Sequence, residues 1–133
     1  MSAVVFDTQA LLAFYLGEPG ANRVEEYLKR ILDKKVDGHL NVVNLAELYY
    51  VLCRVGKDAA KEKERNLKSF GVRIVSVRGG SALWKKAAEI KAVNAVSLAD
   101  AFAAATAIDL KASLITGGDP DFDKIENLKI ERV

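Results

Sequence analysis

Five short apolar runs punctuate the chain, and helical spacing fills the gaps between them. Such runs are too short for helices and read as buried strands. They fall at Val4–Phe6, Gly38–Val43, Val72–Val77 ("VRIVSV"), Ser113–Thr116 ("SLIT") and the closing "LKIERV". Between them, apolar residues recur at three and four. These intervals predict helices over Thr8–Leu16, Ala21–Lys35, Asn44–Val55, Asp58–Phe70, Ser81–Lys91 and Ser97–Ala112, with a short helical turn over 121–125. Gly17, Gly20, Gly56 and Gly71 supply the breaks. Strands alternating with one or two helices specify an α/β fold with a mainly parallel sheet covered by helices on both faces. At 133 residues the expectation is one domain over residues 1–133.

The same alternation says where a ligand would bind. In open parallel sheets, sites form beyond the carboxyl ends of the strands, where helix N-termini also gather. Asp7 ends the first strand, in "AVVFDTQALLAF", and Asp119 follows the fourth, after "TGG". Glu47 in "NLAEL" and Asp100 in "SLADAF" stand near helix starts. Each acid has a structural explanation. Asp7 and Asp119 suit N-caps, the latter with Pro120 behind it, while Asn44-x-x-Glu47 and Ser97-x-x-Asp100 resemble capping boxes. Four acids at one sheet edge would also repel one another, and a divalent cation would neutralise them. An all-oxygen donor set suits Mg2+ or Mn2+ rather than zinc, and carboxylate-held metal ions serve phosphoryl chemistry.

Composition narrows the chemistry further. The single cysteine, Cys53, permits no internal disulfide and reads as a buried thiol. The single histidine, His39, reads as a residue at a strand edge, so catalysis would rest on carboxylates. Gln9 stands where a dehalogenase-like phosphotransferase needs a second Asp, and the middle strands lack a receiver-type acceptor Asp. The net charge of +2 conceals an asymmetry: Arg54–Lys91 holds 11 basic and 4 acidic residues, the remainder 9 and 14. A basic middle beside an acidic centre suits a polyanion, and Lys61, Arg65 and Lys68 are its candidate contacts, although a solvated helix face has the same composition. "SLADAFAAATA" gives Asp100 a helical face of Ala103, Ala104 and Ala107, small enough for close approach by a ligand or a strand. No apolar run approaches the roughly 20 residues of a bilayer span, and the first strand starts too early for a secretory signal, so a cytoplasmic protein without membrane contact is expected.

"VVFDTQALLA", "NLAELYYVL", "SLADAFAAATA" and "LITGGDPDF", in this order, resemble the PIN-domain family, above all its VapC-type toxins. The likeness also takes in "GEPGANRVEEYL" and covers nearly the whole chain. It implies a three-layer α/β/α ribonuclease dependent on Mg2+ or Mn2+, acting on RNA as a homodimer and restrained by a small antitoxin protein. By resemblance, Asp7, Glu47 and Asp100 match the first three acids of the family, and Asp119 or Asp121 the fourth, because "TGGD" is one glycine longer than the commoner spacing. Thr8, Ser97 and Thr116 match polar positions supporting the metal, and Asn44 replaces the more usual Ser or Thr. The alternative function is a degenerate PIN-like module that binds RNA or protein without cleaving. An antitoxin segment is expected to dock on apolar residues of the first two helices, Leu12, Tyr15, Val24 and Tyr27.

Overall fold

A computed structural model describes residues 2–133. Five parallel strands form one sheet: β1 (Ala3–Phe6), β2 (Asp37–Asn41), β3 (Arg73–Val75), β4 (Ser113–Thr116) and β5 (Lys129–Arg132). The helices are α1 (Thr8–Leu16), α2 (Ala21–Leu32), α3 (Val42–Cys53), α4 (Lys57–Ser69), α5 (Leu83–Val93) and α6 (Leu98–Asp109), with a 3-10 turn at Pro120–Lys124. Strand order is β3-β2-β1-β4-β5. The chain moves outward from β1 to β3, then crosses to the other side of β1. The β1/β4 boundary is therefore the topological switch point, where an open sheet leaves a crevice.

Alternation along the strands divides the core in two. Val4, Phe6, Leu40 and Ile115 face α1 to α4, while Val5 and Leu114 face α5, α6 and the 3-10 turn. The result is a three-layer α/β/α sandwich. Phe6, Leu40, Leu114 and Ile115 are fully buried, each contributing about 1.5–3 kcal/mol by transfer from water. The expected close face of α6 is filled by packing: Ala101, Ala103, Ala104, Ala105 and Ala107 all lie buried in the second core.

Several local expectations shift. β2 ends at Asn41, not Val43, because the Asn41 side chain turns back to accept from Val43 N at 2.8 Å and caps α3. Asn44 then lies inside α3, so the Asn44–Glu47 capping box does not form. His39 is half-buried in mid-β2, between β1 and β3, where burial and the Arg73 charge lower its pKa. Leu12, Val24 and Tyr27, expected as docking residues, are buried in the first core, and Tyr15 packs against it half-buried. An apolar groove lies on α3, lined by Val42, Leu45, Ala46, Tyr49, Tyr50 and Cys53 with Glu64 of α4 at its edge; the cysteine is half-buried rather than enclosed. Among the described residues, no helix is long and apolar enough to cross a membrane.

Candidate active site

Asp7 occupies the switch point. It leaves β1 in extended backbone and caps α1, its Oδ1 accepting from Ala10 N at 2.7 Å. Its Oδ2 accepts from the Thr116 hydroxyl, at the end of β4, at 2.5 Å. Only 2% of the residue is exposed. A carboxylate so enclosed loses hydration, and this loss is the main reason its pKa rises from 3.8 to about 6. The two hydrogen bonds oppose the rise, and the charges of Asp100 and Glu47 add to it. Asp7 is thus a cap, as its position suggests, and it also belongs to an acidic cluster.

The other acids come from separate elements. Asp100 sits in the first turn of α6, where Ser97 Oγ caps the helix by accepting Asp100 N at 3.1 Å. Partial burial raises the pKa of Asp100, the Ser97 hydroxyl lowers it, and the charges of Glu47 and Asp119 raise it further. Asp119 caps the 3-10 turn, with Oδ1 accepting Asp121 N at 2.9 Å. Asp7, Asp100, Asp119, Thr116, Gln9 and Phe122 line part of one cleft of about 400 Å³. Glu47, half-buried on α3, does not line that cleft; it joins the group through its charge on Asp7 and Asp100. Asp121 does not line it either, so the geometry turns Asp119 toward the other acids. Among the described residues, no three His, Cys, Asp or Glu side chains form a ready-made metal cage.

A buried polar bridge joins the elements carrying three of the acids. Thr8, next to Asp7, donates to the Asn44 carbonyl at 3.2 Å. Asn44 Nδ2 donates to Ala99 O, next to Asp100, at 3.0 Å, and approaches Thr8 Oγ1 at 3.4 Å. Asn44 is fully buried, and its Oδ1 has no partner. Three residues before Glu47, it links the starts of α1 and α6 through α3. A second bridge runs from Asn41 Nδ2 to Thr106 Oγ1 at 2.9 Å, and Thr106 passes a hydrogen bond to Phe102 O at 2.7 Å. Neither Asn41 nor this use of Asn44 was evident in the sequence. The available signal for Asn41 was the one that marks Asp7: a polar residue closing an apolar run just before a helix.

Lys61, Arg65 and Lys68 are exposed on α4, with Lys68 paired to Glu64 at 2.7 Å. None of them lines the acidic cleft.

This is an open parallel α/β domain with acidic side chains at its switch point, and comparison with known proteins supplies its family. The PIN domain family model matches residues 4–128, and the chain belongs to that family. No curated protein matches it in sequence. Among solved structures, DNA-bound VapBC from Salmonella typhimurium is similar with a TM-score of 0.77 at 17% identity, covering 99% of this chain and 98% of the other. VapBC2 from Rickettsia felis, bound to a promoter DNA fragment, gives 0.76 at 21% identity and 98% coverage of both. Mycobacterium tuberculosis VapC20, a sarcin-ricin loop cleaving toxin, gives 0.66 at 21% identity, with coverage of 90% and 92%. At these identities the likeness is one of fold.

Proposed function

We propose that the chain is a divalent-metal-dependent endoribonuclease, the toxin component of a VapBC-type pair. The observation carrying this reading is that Asp7, Asp100 and Asp119, from three separate elements, line one cleft at the switch point, with the charge of Glu47 acting on Asp7 and Asp100 from α3. The donor set fits Mg2+ or Mn2+. All donors are hard oxygens, and an open acidic cleft suits an ion that keeps several waters and takes only a few direct carboxylates. Bound there, the ion would lower the pKa of a water and offset charge on the scissile phosphate.

The remaining work falls to the chain itself. Asp7, Glu47, Asp100 and Asp119 would hold the ion. Thr116 fixes the Asp7 carboxylate by its hydroxyl, Thr8 ties the start of α1 to α3, and Ser97 fixes the first turn of α6. Such outer partners orient ligating carboxylates. An acidic cleft repels RNA, so the exposed basic face of α4 would guide the phosphate backbone. Replacing Lys61, Arg65 and Lys68 by Ala should weaken RNA binding and reduce its salt dependence, by about 0.7 in log–log slope for each phosphate no longer neutralised. An unchanged slope would assign this helix face to solvation alone.

The resemblance to VapBC complexes supports a small antitoxin as the protein partner; a homodimer as the assembly and the cytoplasm as the compartment belong to the same proposal. The deciding experiment is cleavage of RNA by purified protein in Mg2+ or Mn2+, repeated in excess EDTA. Cleavage should require the metal and stop with the chelator. Full activity in EDTA would remove the metal from the mechanism, and RNA binding without cleavage in either condition would indicate a degenerate binding module.

A further inference from the structure

The segment bearing Asp119 has little packing of its own. At Gly117 and Gly118 an added Cβ would meet nothing within 4 Å, and residues 118 to 120 are exposed. Glycines lose the most backbone entropy on ordering, so something must fix this loop. Thr116 anchors one end, and the buried Phe122 the other. Between them, among the described residues, the side-chain hydrogen bonds reaching the loop from outside it come from Arg132 on β5. Arg132 Nη1 donates to Gly117 O at 2.5 Å, while Nη2 donates to Asp119 O at 3.0 Å and to Asp123 Oδ1 at 2.9 Å. A planar fork is suited to reaching acceptors on both sides of a loop, whereas a lysine ammonium is a single point of charge.

We infer that Arg132 is a positioning residue for the acidic site: its guanidinium holds Gly117–Asp123 so that Asp119 faces the cleft. The inference rests on the metal-site reading above and adds to it a residue outside the cleft. An exposed Arg–Asp ion pair alone contributes little. The two backbone carbonyls are what give Arg132 control of the loop.

The test uses Mn2+ as the probe. In Arg132→Lys, Mn2+ affinity measured by titration calorimetry should fall about tenfold, as is usual when an outer partner of a metal ligand is removed. Half-maximal cleavage should require correspondingly more Mg2+, with the KM for RNA unchanged. Exchange of the Asp121 amide, which donates to Asp119, should accelerate while α1 and α6 keep their protection. In an Asp119→Asn background, Arg132→Lys should have no further effect on Mn2+ affinity, because Arg132 acts through Asp119. Asp123→Asn, which removes only the ion pair, should change affinity less than about twofold. Unchanged Mn2+ affinity in Arg132→Lys, or effects of Arg132→Lys and Asp119→Asn that simply add, would overturn the inference. A wild type that binds Mn2+ but cleaves no RNA would end the nuclease reading, and the Mn2+ measurements would still decide the role of Arg132. A wild type that binds no Mn2+ would end both.

Discussion

Replacing Asp7 with asparagine should reduce RNA cleavage about a thousandfold and make the metal-free protein more stable at neutral pH. The first effect is the loss of an anionic ligand: metal stabilisation of the transition state amounts to several kcal/mol, and about 4 kcal/mol is a thousandfold in rate. The second follows from burial. The carboxyl titrates near pH 6 in the folded protein against 3.8 as its ordinary value. Below pH 3.8 it is neutral in both folded and unfolded chains and costs nothing. As pH rises from 3.8 through 6, the unfolded chain ionises more readily, so stability falls, by about 3 kcal/mol once pH exceeds 6. The Asp7→Asn variant would escape that loss. Its amide would keep the cap to Ala10 N, because asparagine caps as well as aspartate. It would give back about 1 kcal/mol at Thr116, whose hydroxyl loses an anionic acceptor. A net gain of about 1–2 kcal/mol in EDTA at about pH 7.5, vanishing near pH 4, should appear in urea unfolding. Normal cleavage by this variant would rule Asp7 out as a ligand.

A comparably large loss is expected for Asp100→Asn, and Ser97→Ala separates ligation from capping. Both residues belong to the same first turn of α6. Asp100 is coupled to Glu47 and Asp119, so its amide form should depress cleavage to about the same thousandfold extent while the helix remains capped by Ser97. Ser97→Ala removes the cap and should cost about 1 kcal/mol of stability. It should slow cleavage no more than about tenfold, the lower range for an outer partner. Cleavage rates and melting temperatures of the two variants should therefore move in opposite order. Equal losses of rate would mean that Asp100 contributes only through the integrity of the helix.

Much of this architecture was legible because its determinants are local. The strand at Ser113–Thr116 and the helix at Thr8–Leu16 occur where period and flanking residues put them, since apolar spacing and a capping Asp act over a single turn. Element ends were less legible. α3 begins at Val42 rather than Asn44 because Asn41, not Asn44, folds back as its cap, a choice between two asparagines that local pattern does not rank. Asp7, Asp100 and Asp119 were legible as polar residues at strand ends and helix starts, whereas Glu47 lies in the second turn of α3 rather than at the helix start its pattern suggested. The Asn44 bridge was not, because a buried asparagine in an apolar helix looks like any other interior polar residue until its neighbours are known.

By itself, then, the sequence determined the alternation of strands and helices, the all-carboxylate character of the candidate site and the basic face of α4, each a property of residues close in the chain. Tertiary structure alone decided the rest. It set β4 beside β1, so that Thr116 reaches Asp7 across 109 residues, and it set β5 beside β4, so that Arg132 can reach the Asp119 loop. It also buried Leu12, Val24 and Tyr27 while leaving Val42 and Tyr50 exposed, a distinction invisible to composition. The physical reason is the same in each case. Strand order and burial depend on which distant surfaces exclude water together, and two apolar residues of equal hydrophobicity differ in fate only through what the folded chain brings against them.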